Sequence, residues 1–399
     1  MPSALWKNIV HLLTREAKMF DPIQIRHELH RIPELAFHEN KTRDFILKQL
    51  RELCGTLGVK DLFEIIEFKN STAILVVYQH GDIEDGFELF RADMDALPIT
   101  ESTGADFSSV HAGMMHACGH DVHMSVLMGL IQRVWIAKPK KNLLFLFQPA
   151  EEGEGGAQSV LREGILQNYD IRAAFALHVA GNMPVGTVSS KAGIFFGIPQ
   201  EFDLRFLGKA AHVAFPEKGV NALVCGVDFM ASIQAEINKT LKDERVIFHV
   251  GKMTAGRIRN VIADECLLQG THRSLKQEVR DQLNDLIYQH ANQIAERYHA
   301  KVEVRLLGSY DPVVNDPILL SRLEKHCKDL SYLFVPAETV MTGEDFGFFT
   351  SCYPGLLFWL GSGSDQTLHS ELFLPADECI AVGIDIMWTL AVGMPVHKE

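Results

Sequence analysis

Four runs of this chain, STAILVVYQ, FELFRADMD, KNLLFLFQPA and AAFALHVA, look like strands, and two stretches inside them, LLFLF and FALH, are apolar almost without a break. A strand that is apolar at nearly every position has no solvent face. It must lie in a sheet covered on both sides, usually by helices. Helical patterns alternate with these runs, from Pro22 to His30, from Asn40 to Leu53 and from His120 to Trp135. The reading is α/β, with the four runs in one sheet.

Between residues 194 and 307 the pattern changes. QEFDLRFL alternates strictly, placing Phe202, Leu204 and Phe206 on one face. A helix follows, with Val220, Leu223, Val224, Val227 and Met230 at helical spacing as its expected apolar face. Then come the strands RVIFHVGKM and DECLLQGTH, a second helix carrying Val279, Leu283, Leu286, Ile287, His290 and Ile294, and the alternating strand KVEVRLL. The order is βαββαβ, a split-βαβ unit. Residues 308–399 return to buried-strand patterns such as GLLFWLG. The expected organisation is one domain, 1–193 and 308–399, interrupted by a second at 194–307. At about 100–200 residues per domain, 399 residues accommodate both.

A net charge of −13 gives a field that repels phosphate backbones and anionic membrane surfaces, so no nucleic-acid or membrane partner is expected. The N-terminal MPSALWKNIVHLLTREAKMF mixes charged residues into its apolar ones and lacks a small-residue cleavage site, so it does not read as a signal peptide. No apolar run approaches the ~20 residues of a membrane span. The seven cysteines are scattered singly with no CxxC, which argues for reduced thiols and a cytoplasmic location.

The densest polar cluster is MMHACGHDVHM, with His116, Cys118, His120, Asp121 and His123 inside eight positions. A cysteine and a histidine two apart can face one ion, since thiolate and neutral imidazole are preferred zinc ligands; the plainer alternative is a buried cysteine beside surface histidines. Glu151 and Glu152 follow the strand KNLLFLF directly, where α/β folds place their sites. Adjacent carboxylates point differently, so one can bind metal while the other handles a proton; alone, they could equally be a solvated acidic loop. His178 and His369 are read as ending apolar strands. Four such separate sites together favour a catalytic metal centre over four unrelated structural residues. Asp95, in FRADMDALP, is a candidate to orient a metal-bound imidazole, or forms an Asx turn before Pro98. GKAAHVAFP presents His212 on a loop, and Arg259, Asn260 and Arg273 offer donors suited to a carboxylate or polarised carbonyl. Glu344 and Asp345, in MTGEDF, read either as a helix-capping turn or as part of the site.

With these residues in hand, the chain resembles the M20 family of metallopeptidases and amidohydrolases, in the branch of N-acyl-amino-acid and hippurate amidohydrolases. The resemblance runs in order through RHELHRIPELAFHE, RADMDALPITE, HACGHDVH, QPAEEGEGGA, ALHV, GKAAHVAFPEKG, RNVIADE, TGEDFGFF and LHSELF, covering almost the whole chain. It implies a zinc-peptidase-like catalytic domain, a mixed sheet flanked by helices, with an inserted lid and dimerisation domain. Carried over by position, Cys118, His120, Glu152, His178 and His369 would ligate two divalent ions, and Glu151 would be the general acid/base. Asp95 would support the metal site. His212, from the lid of a neighbouring subunit, would polarise the scissile carbonyl, Asn260 would hold the substrate, and Arg259 and Arg273 are candidates for its carboxylate. A thiolate ligand favours Zn, Co or Ni, with Mn also admissible.

The implied reaction is hydrolysis of an N-acetyl or N-benzoyl amino acid to a carboxylate and a free amino acid, a small-molecule substrate, by a homodimer or tetramer. The alternatives are a dipeptidase or aminopeptidase with the same metal centre, or a non-catalytic metal-binding relative.

Overall fold

The computed structural model of the protein describes residues 19–56 and 62–393. The segment up to residue 18, read above for a signal peptide, and the side chain of Cys54 lie outside the described residues. The chain divides into two compact units. The first comprises the described residues up to Phe195, Val314–Glu338 and those from Phe348 onward; the second comprises Phe196–Val313 and Thr339–Gly347.

The first unit is built on a mixed sheet. Its strands before the second unit are β1 (Phe63–Glu67), β2 (Ile74–Gln79), β3 (Phe87–Asp93), β4 (Asn142–Gln148), β5 (Ile171–Ala180), β6 (Thr187–Ser190) and β7 (Gly193–Phe196). After it come β12 (Val313–Asn315), β13 (Leu333–Pro336) and β14 (Gly355–Gly361). The order is β1-β2-β4-β3-β5-β14-β12-β7, with β6 pairing β14 and β13. β2 runs antiparallel to both of its neighbours, β1 and β4, whereas β4, β3, β5 and β14 run parallel to one another. Parallel strands send their C-terminal ends to one edge of the sheet, which sets the address of the site. The unbroken apolar runs are buried as their composition requires: Leu143 to Phe147 of β4 are each at 0% exposure.

Helices α1 (Pro22–Arg31), α2 (Asn40–Thr56), α3 (His120–Ala137), α4 (Gly156–Arg162), α7 (Pro317–Asp329) and α8 (Glu378–Val392) belong to this unit. α1 starts where Asp21 caps the Ile23 amide with proline at the first helical position. α3 is apolar on every side and is buried along almost its whole length, packed against α1, α8 and β3. No helix among the described residues is long and apolar enough to cross a membrane.

The second unit holds β8 (Ile198–Leu207), α5 (Ala222–Thr240), β9 (Ile247–Ala255), β10 (Glu265–Ser274), α6 (Gln277–Arg297) and β11 (Lys301–Ser309). Its four strands form an antiparallel sheet in the order β11-β8-β10-β9. Phe202, Leu204 and Phe206 share the buried face with Phe229, Ile233, Leu283 and Ile287 from the two helices.

One expectation fails here. The stripe Leu223, Val224, Val227 and Met230 of α5 faces solvent, at 37–51% exposure, and the buried face is Ala222, Cys225, Gly226, Phe229, Ile233 and Ile237. α5 carries apolar residues on two faces, and close approach to the sheet selects the face with the smaller side chains in its first turns. Glu344 accepts the Phe346 amide at 3.0 Å, the capping turn allowed by MTGEDF.

Candidate metal centre

The site lies in the first unit, where the parallel strands end. β3 finishes at Asp93, two residues before Asp95. β4 finishes at Gln148, just before Glu151 and Glu152. β5 carries His178 inside the strand, two residues short of its end and in register with Trp359 of β14. Helix α3 delivers His120 as its first residue, after Gly119 at φ +81°. A Cβ at Gly119 would lie 2.4 Å from Val179 Cγ2, so the turn that aims Cys118 and His120 at β5 needs glycine there. His369 does not end a strand as expected. It sits in a turn well beyond β14, at φ +65°, with its amide bonded to the Ala117 carbonyl at 2.9 Å. That bond draws the turn against the loop carrying Cys118.

Three overlapping groups of donor atoms result, the atoms within each lying within 4.8 Å of one another: Cys118, His120 and His178; Cys118, Glu152 and His369; His120, Glu151 and Glu152. All five residues expected as ligands are thus brought together, and Glu151 with them. One carboxylate oxygen of each of Glu151 and Glu152 lies within 4.8 Å of a His120 ring nitrogen. Glu151 is buried, and Glu152 is partly so.

Hydrogen bonding fixes the tautomers. His120 Nδ1 donates to the Asp95 carbonyl at 2.8 Å, and its Nε2 is buried with no hydrogen-bond partner, the ring atom left to meet a cation. His178 Nδ1 donates to the Val179 carbonyl at 2.8 Å, and its Nε2 faces Cys118 Sγ at 3.4 Å. His123 is different. Its Nε2 accepts the Val179 amide at 2.9 Å and its Nδ1 donates to Asp93 at 2.6 Å, so both nitrogens are engaged. Although Asp93, His120 and His123 also cluster, that group is closed by its own hydrogen bonds, with Arg91 on Asp93 at 2.6 Å.

Asp95 meets His120 with its carboxylate as well as its carbonyl, one carboxylate oxygen lying 3.4 Å from His120 Nδ1. Its carbonyl orients His120, while its carboxylate accepts the amides of Glu151 at 3.0 Å and Glu152 at 2.9 Å. The electrostatics are those of a cage short of positive charge. Burial, with the charges of Glu152 and Glu151, pushes the Cys118 thiol well up. Burial pushes His178 well down. His120, which burial alone would lower, is held up at about 10 by the carboxylates of Asp93 and Asp95, with Glu152 adding to them. A buried, unpartnered imidazole nitrogen, a thiol against two carboxylates and a second imidazole form a donor set that fits divalent cations of borderline softness once their protons are displaced.

His212, Arg259, Asn260 and Arg273 belong to the second unit. His212 and Asn260 are exposed neighbours there: His212 bridges to Val261, and the Val213 amide donates to the Asn260 carbonyl at 3.1 Å. Arg259 is exposed, and Arg273 is half-buried with its guanidinium on Thr271 Oγ1. Sequence reasoning passed over Glu39, Arg91 and the roles of Asp93 and His123. Only the unassigned glutamate in RHELHRIPELAFHE and the paired aspartates of RADMD signalled them.

Residues 89–392 match the sequence profile of peptidase family M20/M25/M40. Among curated relatives, N-acetyldiaminopimelate deacetylase of Shouchella clausii is 35% identical over 93% of this chain and 97% of its own. The protein of that name from Lactobacillus helveticus is 37% identical over 91% and 94%. Among solved structures, a Bacillus subtilis protein described as a dinuclear metal binding peptidase of the M20 family superposes with a TM-score of 0.78 at 28% identity, covering 93% of this chain and 96% of that one. With a profile match over most of its length and relatives of this identity across nearly all of it, the chain belongs to peptidase family M20/M25/M40 and is a hydrolase of linear amides.

Proposed function

We propose that the protein removes the acyl group from N-acyl amino acids, with N-acetyl substrates, and N-acetyldiaminopimelate among them, preferred over N-benzoyl ones such as hippurate. The observation that carries this reading is the placement of Glu151, buried and within 4.8 Å of His120 and Glu152 in a donor cage. The acetyl preference rests on the names of the curated relatives.

Cys118, His120, Glu152, His178 and His369 would hold two divalent cations, which would supply Lewis acidity and lower the pKa of water. Glu151 takes a proton from the attacking water as its oxygen bonds to the carbonyl carbon. As the C–N bond breaks, Glu151 passes that proton to the departing nitrogen, because an amine leaves poorly as an anion. Asp95 keeps the Glu151–Glu152 turn in place through two amide hydrogen bonds. His212 is assigned to the amide carbonyl, and Asn260, Arg259 and Arg273 to the polar ends of the substrate, as donors suited to carboxylates. The working form is a homodimer, supported by the exposed apolar stripe on α5 and by the outer edge of β9, which among the described residues pairs only with β10.

The test is a panel of N-acetyl amino acids, N-acetyldiaminopimelate, hippurate and free dipeptides, run on metal-loaded enzyme and on Glu151→Gln. Acetyl substrates are expected to turn over fastest, with Glu151→Gln keeping its metal and losing about 10²–10⁴-fold in kcat. Preference for dipeptides, or near wild-type turnover by Glu151→Gln, overturns the reading.

A further inference from the structure

Glu39 stands immediately before α2 and is fully buried, yet it takes no part in the donor cage. Its Oε1 accepts two backbone amides, those of Phe37 at 2.9 Å and Ala150 at 3.0 Å, and its Oε2 accepts the Thr72 hydroxyl at 2.6 Å. Phe37 and Ala150 share an unusual property. Both adopt left-handed backbone conformations, at φ +59° and +55°, although each carries a Cβ. Such residues persist where surrounding contacts hold them, and one carboxylate oxygen holds both.

Ala150 is followed directly by Glu151 and Glu152, whose amides go to Asp95. Three consecutive amides of the turn are therefore received by two buried carboxylates that reach it from elsewhere in the chain, Glu39 from 111 residues away. Removing either anchor frees one end of the turn. Asp95 holds the amides of the two glutamates, and Glu39 holds the left-handed residue that sets the direction in which Glu151 departs from β4.

From this geometry we infer that Glu39 is a positioning residue for the acyl-transfer chemistry, fixing the Ala150 turn and through it the aim of Glu151. The inference rests on Glu151 being the base, and it concerns reach rather than charge. A glutamine at this position is long enough to accept both amides, whereas an aspartate is one methylene too short to meet Phe37 and Ala150 together.

The variants Glu39→Gln, Glu39→Asp and Glu39→Ala are compared by kcat and KM per metal-loaded molecule, and by amide hydrogen exchange at residues 150–152 of the metal-free protein. Glu39→Gln is expected to keep kcat within about threefold of wild type. Glu39→Asp and Glu39→Ala are expected to lose about 10–100-fold in kcat with KM within about threefold, the signature of a misaimed group rather than a lost binding contact. Their 150–152 amides exchange at least about tenfold faster while those of β3 and β5 do not change. If Glu39→Ala does not fold, the Gln and Asp variants decide alone. Wild-type kcat in Glu39→Asp, equal losses in Gln and Asp, or unchanged exchange at 150–152 overturns the inference. Glu151→Gln is assayed alongside: if it stays active, the base assignment fails, and the exchange rates still report separately whether Glu39 holds the turn.

Discussion

His30 of α1 is buried at 0% exposure between two carboxylates, donating from Nδ1 to Asp121 at 2.9 Å and from Nε2 to Glu101 at 3.2 Å. Both nitrogens donate, so the ring is an imidazolium. Burial pulls its pKa down, but the charges and hydrogen bonds of Asp121 and Glu101 outweigh this and push it from 6.5 up to about 9. A raised folded-state pKa gives stability that is fully present below 6.5 and lost as pH rises through about 9. At about 1.4 kcal/mol per pH unit, that gap is worth about 3 kcal/mol. Against burial, the hydrogen bond from His30, then that from the Ser109 amide, hold Glu101 at about 2. That is the same contact seen from the other side, so it is not added again. The perturbation is His30→Gln, measured as urea unfolding of metal-free protein in chelator at pH 6 and at pH 9.5. Among the described residues the tryptophans, Trp135, Trp359 and Trp388, all lie in the first unit, and none occurs in the sequence of the second, so tryptophan fluorescence reports the unit containing His30. The stability difference between wild type and variant is expected to shrink by about 3 kcal/mol between the two pH values. An equal difference at both would refute the imidazolium assignment.

A Cβ at Gly156 would lie 1.7 Å from the Pro149 carbonyl oxygen, a backbone atom at the root of the glutamate turn. Gly156→Ala is expected to cost at least about 1–3 kcal/mol in unfolding and to weaken metal binding at least about tenfold, read by competition with a chromophoric chelator. Val227, at 51% exposure, is central to the apolar stripe on α5. Val227→Asp is expected to halve the mass measured by light scattering with its melting temperature little changed, and an unchanged mass would remove the stripe from the dimer contact.

Much of the architecture was legible because periodicity reports burial directly. LLFLF and FALH could only be covered strands, and the expected start of α3 at His120 coincides with the observed one. α5 was misread because its sequence offers two apolar stripes, and spacing cannot say which one the sheet will take. Residue type and the resemblance to the M20 family together pointed to the proposed ligands, but their supports were not legible. His123 looks like one more ligand until its two hydrogen bonds are seen, and Glu39 looks like an ordinary acidic residue at a helix start. What makes it special is an amide 111 residues away. His369 was expected to end a strand, yet it reaches the site through a left-handed turn that no local pattern announces.

Every proposed cation ligand, and Glu151, comes from the unit that packs around the mixed sheet, while the inserted segment has a hydrophobic cluster of its own. Substitutions confined to the insertion therefore replace none of the proposed cation ligands. On the proposed reading, in which donors of the insertion meet the polar ends of the substrate, a change of substrate would need no rebuilding of the residues assigned to bond breaking.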